Sequence, residues 1–379
     1  MKKFNLLVDC SYIIEIPSSA DSIHLYTGRL LQGLQYSSVF NVTALVGTGM
    51  EEYINTLACY DVDKIVVDLR KTVINRSIDR LFSLIPFENE LQMRGIDVVV
   101  TPHHVDSRFF FPKRYRHHFI VHDFIFHQAL RERLHCWTYA CVSMWRKILF
   151  WKVRYFISIS EETRKKLLRY KNKDSDVIYN SIPFNFQIQE EPVKEICGQK
   201  YILDVNRFEL YKNAETLIKA LYLLKDKIPH VLYLKGFNSR NSDILYLQSV
   251  VSELKMDNRV YFDASNRSEA EMRWLYSHAD LLVSPSLKEG FGWTPIEAAV
   301  LKTPVLISGI DVLKEVTCGK IPTFDPYSPK DLAEKIHHTL QNPPSYDERE
   351  NLARFYKERY SLQRQIDQLT KVLLSHLHN

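Results

Sequence analysis

Ser284 to Ala299 reads Ser-Pro-Ser-Leu-Lys-Glu-Gly-Phe-Gly-Trp-Thr-Pro-Ile-Glu-Ala-Ala. The apolar run Leu281 to Val283 before it has the length of a buried strand, the two glycines mark a loop, and a helix begins near Trp293. A strand, a glycine loop and a helix in that order make an anion site of a parallel α/β sheet, because the first helical N–H groups are unpaired and point outward. Gly290 and Gly292 let a ligand approach the backbone closely, which suits a nucleotide diphosphate. Phe291, Trp293 and Thr294 complete that candidate site. Glu289 in the loop and Glu297 on the helix are read as carboxylates that accept hydrogen bonds from sugar hydroxyls. For a lone pair of acids a capping Glu289 and a solvated Glu297 are the favoured reading; the glycines and the strand shift the balance toward sugar binding.

Outward from this stretch, short apolar runs alternate with longer amphipathic segments, the pattern of strands joined by helical crossovers. The first half carries candidate strands at Phe4 to Val8, Val42 to Val46, Lys64 to Val67, Asp97 to Val100, His118 to Val121, Tyr155 to Ile159 and Asp176 to Tyr179. The second carries them at Tyr201 to Val205, His230 to Leu234, Val260 to Phe262, Leu281 to Val283 and Pro304 to Ile307. Ser160 is placed to cap a helix whose first turn holds Glu161 and Glu162. Polar residues without period between Pro183 and Gln199 are read as an interdomain linker. At 379 residues the chain exceeds one core. Two α/β domains are expected, at 1–185 and 195–354, with a helix at about 355–379 packing back on the first.

Glu289-Gly-Phe-Gly followed by Glu297-Ala-Ala resembles the signature of glycosyltransferase family 4, whose two glutamates are separated by seven residues. Ala279 to Ser286, Thr303 to Ser308, Glu315, Gly319 and Asp325-Pro326 are similar to that family in order, so the resemblance covers the second half almost throughout. Asp204-Val-Asn-Arg207-Phe-Glu-Leu-Tyr-Lys212-Asn resembles its Arg/Lys element. The first half is less similar; Ile120-Val-His122-Asp123 carries it most clearly. The resemblance implies a GT-B fold, two Rossmann-like doubly wound parallel-sheet domains facing a cleft, and retaining transfer from a UDP- or GDP-sugar. It also implies roles: Glu289 positions the transferred sugar, Glu297 binds the ribose, Arg207 and Lys212 meet the diphosphate, and His122 contacts the sugar near the reacting centre. Read alone, a histidine beside an acid after a strand is more often a satisfied structural pair. An Arg fork and a Lys point charge compensate a dianionic leaving group on physical grounds as well, so no metal and no cofactor are expected. Relatives carry a glycine-rich loop after the first strand; here Ser18 to Tyr26 contains no glycine, so Ser22 and His24 are candidates for acceptor or phosphate contact.

Bulk composition, 45% hydrophobic and 25% charged, is that of a globular protein. Asp9 interrupts the first apolar run before an export signal or membrane span forms, and the six cysteines lack metal or dithiol spacing. A cytoplasmic location is expected. The net charge of +5 is concentrated: Arg131 to Lys171 holds eleven Lys/Arg against Glu132, Glu161 and Glu162. Trp137, Tyr139, Trp145, Phe150, Trp151, Tyr155 and Phe156 interleave with them, and Arg108, Lys113, Arg114 and Arg116 accompany Phe109 to Phe111. Such a surface suits peripheral contact with anionic lipid at the inner membrane face; a helix with a solvated basic face fits the same residues. Nucleic acid is not the expected partner. The expected acceptor is a glycan or lipid-linked saccharide, in surface polysaccharide or glycoconjugate synthesis. The rival readings are a sugar-nucleotide epimerase of the same fold and a non-catalytic nucleotide-sugar-binding relative.

Overall fold

A computed structural model describes residues 3–16, 22–68, 87–103, 109, 111–124, 144, 150–184, 186–236 and 241–377. The chain divides into two compact units, one of residues 1–183 with 362–379 and one of 184–361. Most of the basic-aromatic stretch from 125 to 149, Arg108, Phe110, and the start of the Ser18 to Tyr26 loop lie outside the described residues.

In the first unit the strands are β1 (Phe4–Asp9), β2 (Phe40–Gly47), β3 (Asp63–Val67), β4 (Val98–Thr101), β5 (His117–Val121), β6 (Tyr155–Ser158) and β7 (Asp176–Val177). They form one sheet in the order β3-β2-β1-β4-β5-β6-β7, with every pairing parallel. Parallel strands are covered on both faces, so their sequences are continuous apolar runs; Val98, Val99 and Val100 are fully buried. The order reverses between β1 and β4, which makes their carboxyl ends the switch point of the sheet.

Helices α1 (Ser22–Gln35), α2 (Glu51–Ala58), α3 (Glu88–Met93) and α4 (Glu161–Lys171) connect these strands. Ser160 caps α4 as its sequence implies, its hydroxyl accepting from the Thr163 N–H at 3.1 Å.

The second unit repeats the plan. Strands β8 (Tyr201–Val205), β9 (Val231–Lys235), β10 (Val260–Asp263), β11 (Leu281–Ser284), β12 (Val305–Ser308) and β13 (Thr323–Phe324) lie in the order β10-β9-β8-β11-β12-β13, again all parallel. Its helices are α5 (Ala214–Leu223), α6 (Asn241–Glu253), α7 (Glu269–Ser277), α8 (Trp293–Val300), α9 (Asp311–Val316), α10 (Pro329–Gln341) and α11 (Tyr346–Arg359). Leu217, Ile218 and Leu221 of α5 and Leu332 and Ile336 of α10 share a core with Ile202, Leu232 and Leu281 of the sheet.

Two boundaries differ from the sequence reading. The stretch read as a linker belongs to the second unit from Phe184 onward. Val193 and Ile196 are fully buried, Arg273 donates to the Ile188 carbonyl, and Ser277 donates to Glu190 at 2.7 Å. The terminal helical tract is two helices: α11 stays in the second unit, and α12 (Leu362–Leu377) belongs to the first. It packs on α1, where a Cβ on Gly33 would lie 2.4 Å from Ile366 Cγ1, and Gln365 accepts from the Ser181 N–H at 3.3 Å.

The far end of α12 is held by aromatic stacking. His376 lies over Tyr155 at 4.3 Å and over His118 at 5.2 Å between centroids. The two imidazoles share a hydrogen bond, His118 Nε2 to His376 Nδ1, of 3.0 Å. Burial pushes the imidazoles of His117, His118 and His122 down to about 3, with a neighbouring histidine adding to each. In an unfolded chain the same groups titrate near 6.5, so below that pH the unfolded state takes up protons first. Stability from these neutral histidines is complete above about 6.5 and is lost progressively as pH falls toward 3. Thermal unfolding followed from pH 7 to 4.5 should therefore show a falling midpoint. His118→Phe, which keeps a ring against Tyr155, should reduce proton uptake on unfolding by about one; an unchanged pH slope would contradict the assignment.

Candidate functional site

Beyond β8 the chain passes through Asn206 and Arg207 and makes a short 3₁₀ turn, Leu210–Lys212, before α5. Asn213 joins the two in the left-handed region, φ 62°, which asparagine tolerates better than most residues. Its side-chain amide donates to the carbonyls of Pro285, 3.0 Å away, and Pro326, 2.8 Å away, and its oxygen accepts from Thr216 at 2.8 Å. The Leu287 N–H donates to the Tyr211 carbonyl at 2.9 Å. These bonds tie the turn to the segment after β11 and bring two of the candidate residues together. Lys212 Nζ lies 2.7 Å from Glu289 Oε1, with the side chains 12% and 11% exposed. A charge-assisted bond this well shielded is stronger than a surface ion pair.

Other groups converge on the pair. Asp204, at the end of β8, is buried and accepts from Asn206 Nδ2 at 2.5 Å. Burial, with repulsion from Glu289, pushes its carboxyl up to about 7, against the pull of Asn206 and Lys212. Arg207 is exposed on the same loop, close enough for its charge to act on the Tyr211 hydroxyl, whose pKa burial drives up. The structure thus gathers Arg207, Lys212 and Glu289 around Tyr211.

Gly292 precedes α8 with φ +84°, and a Cβ there would lie 2.3 Å from Leu313 Cδ2. Backbone conformation and close packing both require glycine. Phe291 is buried against Trp293 and Tyr360, with centroids 6.2 and 5.7 Å away. No side chain caps α8, so its leading amides, from Trp293 and Thr294 onward, keep the positive end of the helix open to an anion. Among the described residues, the buried hydroxyls of Ser284 and Ser286 and the indole N–H of Trp293 have no hydrogen-bond partner. Glu297, one turn into α8, accepts from the Tyr276 hydroxyl at 2.5 Å. Burial, with a contribution from Glu269, raises its carboxyl to about 7 while the tyrosine bond opposes the rise.

His122, Ser22 and His24 belong to the first unit. His122 is buried at the end of β5, with Nε2 donating to the Pro102 carbonyl at 2.8 Å. Its ring meets Tyr26 edge-on at 4.7 Å and His103 at 6.0 Å. With its pKa near 3 it is a neutral imidazole held by the fold. Ser22 opens α1. His24 Nδ1 is 3.2 Å from the Tyr53 hydroxyl, and its ring is 6.3 Å from Tyr12, which in turn lies 5.7 Å from His103. Sequence reasoning missed Tyr12, Tyr53, His103 and Asn213. The signal for His103 was present, in Thr101-Pro-His-His after a strand; Asn213 offered none, because its partners are remote carbonyls. Among the described residues no group of three or more His, Cys, Asp or Glu is arranged to hold a metal ion.

The chain is similar to known proteins. Residues 186–359 match the family "Glycosyl transferases group 1". The O-antigen chain mannosyltransferase RfbU of Salmonella typhimurium is 29% identical over 195 residues, 51% of this chain and 52% of that protein. The alpha-1,3/1,6-mannosyltransferase ALG2 of Mus musculus is 26% identical over 206 residues, 49% of this chain and 48% of that protein. The chain thus spans about half the length of the curated relatives it matches. The crystal structure of Anabaena HepE with UDP-glucose superposes with a TM-score of 0.69 over 98% of this chain and 99% of that one, at 16% identity, which establishes the GT-B fold.

Gly292→Ala tests whether the local packing is as tight as described. It should cost about 1–3 kcal/mol of stability from the left-handed backbone alone, read as a lowered urea midpoint at unchanged m-value. An unchanged midpoint would contradict the Leu313 contact.

Proposed function

We propose that this chain, whose residues 186–359 match the family "Glycosyl transferases group 1", transfers a sugar from a nucleoside-diphosphate donor to a saccharide acceptor with retention of configuration. The observation that carries this reading is the shielded Lys212–Glu289 pair beside the open N-terminus of α8. The donor diphosphate takes the α8 amides, with Arg207 and Lys212 compensating the charge that develops as the glycosidic bond breaks. Its arrival draws Lys212 away from Glu289, freeing that carboxylate to accept hydroxyls of the transferred sugar. Glu297 accepts from the ribose. The acceptor hydroxyl attacks on the face the diphosphate leaves, and a leaving phosphate oxygen takes its proton, so no carboxylate nucleophile is required. The two curated relatives are named as mannosyltransferases, which favours a mannosyl donor, and surface polysaccharide or glycoconjugate synthesis as the setting.

We also propose that the first unit works against anionic lipid at the cytoplasmic face of a membrane. Trp151 is 74% exposed and Tyr170 60%, and Lys152, Arg154, Lys165 and Arg169 are exposed around them. Lys171 Nζ, 5.1 Å from the Phe150 ring, joins the two segments into one surface. No described helix is long and apolar enough to cross a membrane, and the contact proposed is a peripheral one.

Glu289→Gln should lower kcat by about 10²–10³ while binding free nucleoside diphosphate at least as tightly as wild type, since Lys212 then has no internal competitor. Unchanged turnover with weakened binding would sink the assignment. A chelator should leave wild-type turnover unaltered. For the membrane reading, sedimentation with phosphatidylcholine vesicles containing anionic lipid should be lost on raising salt and weakened by Trp151→Ala; equal sedimentation with neutral vesicles would count against it.

A further inference from the structure

Tyr276 lies in the last turn of α7 with its side chain buried, and it is held at three points. Its carbonyl accepts from Thr303 Oγ1 at 2.5 Å, and the Thr303 N–H donates to the Ala298 carbonyl at 3.0 Å, which clamps the end of α7 to the end of α8. Its ring meets that of Phe184 edge-on at 5.7 Å between centroids. Its hydroxyl donates to Glu297 Oε2 at 2.5 Å. Burial first, and then the charge of Glu297, drives this phenol well above its usual range, so the hydroxyl keeps its proton and serves Glu297 as a donor.

A buried phenol needs a partner, and a tyrosine bonded to an acid serves the fold alone when other donors fill that acid as well. Asp263 shows what such an acid looks like in this unit. It accepts from the Ser265 N–H at 2.9 Å, Ser265 Oγ at 2.5 Å, the Tyr233 hydroxyl at 2.7 Å and Arg267 Nε at 2.9 Å. Against the rise that burial causes, these bonds hold its carboxyl down at about 2. Glu297 is the opposite case. Among the described residues it accepts one hydrogen bond, from Tyr276, so most of the acceptor capacity of a carboxylate is unused, and burial leaves its carboxyl at about 7. Oε2 holds the tyrosine, Oε1 accepts nothing from the described residues, and Glu297 is partly exposed.

Unfilled acceptor capacity on a fixed carboxylate suits a neutral ligand that brings donors. Two adjacent hydroxyls on one sugar ring match it, each donating to one carboxylate oxygen. A carboxylate free to rotate would lose that freedom on binding, and holding it beforehand removes the cost. We propose that Tyr276 is a positioning residue, whose hydroxyl fixes the rotation of the Glu297 carboxylate so that its free oxygen meets the vicinal hydroxyls of the donor ribose. The inference rests on the transferase reading above, which assigns Glu297 to the ribose, and adds the residue that sets its geometry.

The probes are UDP, GDP and ADP, with the 2′,3′-dideoxy form of whichever binds, titrated calorimetrically into the full chain. Tyr276→Phe, which keeps the ring against Phe184, should weaken the ribonucleotide by about tenfold and leave the dideoxy form as in wild type. Glu297→Gln, which keeps an oxygen for the tyrosine, should lose the preference for the ribo form, and adding Tyr276→Phe to it should cost nothing further. Equal binding of the ribonucleotide by Tyr276→Phe and wild type would overturn the inference, as would an equal loss for both forms, the mark of a structural residue. A ribo preference retained in Glu297→Gln would overturn it as well, whether or not Tyr276→Phe folds. Wild type that binds none of the three nucleotides would remove the transferase reading and this inference with it, whereas nucleotide binding that Tyr276→Phe leaves intact removes the inference alone.

Discussion

The second unit is organised around one shielded ion pair. Lys212 and Glu289 lie 77 residues apart in the sequence, and both side chains are largely removed from water. Desolvating two charges is costly unless geometry and further bonds offset it. The offset is visible in Asn213, whose amide binds the Pro285 and Pro326 carbonyls, and in the Leu287 to Tyr211 backbone bond. The same constraint explains the glycine at 292, since the loop carrying Glu289 closes against Leu313 with no room for a Cβ. Asp204 and Glu297, both raised to about 7 by burial, show how little bulk water these carboxylates meet. A strong, dry pair is a suitable resting state for a lysine proposed to meet a diphosphate.

The two units share a topology and differ in chemistry. At the carboxyl ends of its strands the second presents an uncapped helix start, two cations and acids. The first presents rings at its switch point, among them the neutral imidazole of His122. A helix terminus and cations suit a charged ligand, while aromatic faces and imidazoles suit a neutral one. Fold likeness to relatives at 16% identity transfers the scaffold; the difference between the two ends comes from this chain's own residues.

Much of this was legible in advance, for identifiable reasons. Buried parallel strands are apolar along their whole length, so Val98 to Val100 or Leu281 to Val283 announce themselves; the glutamate-glycine signature singled out Glu289 and Glu297, whereas the pairing of Glu289 with Lys212 left no trace in the sequence because it depends on how the two loops are tied together. The two-residue strand Thr323–Phe324 was too short to leave a pattern. The segment from 184 to 199 looked like a linker because composition reports which side chains face water, whereas its attachment depends on Val193 and Ile196 and on backbone carbonyls held by Arg273. His122 shows the same limit, since a histidine after a strand looks alike whether it faces a ligand or, as here, lies buried against Tyr26 and Pro102. The Tyr276–Glu297 bond was invisible because it depends on how α7 and α8 lie together.

Sugar transfer with retention, as proposed for this site, is open to direct observation. Proton NMR of the reaction in progress, with a nucleoside-diphosphate sugar and a saccharide acceptor, follows the anomeric signals of donor and product directly. The account predicts a product with the anomeric configuration of the donor, formed in step with free nucleoside diphosphate and only when acceptor is present. An inverted anomer, or diphosphate released at the same rate without acceptor, would contradict it.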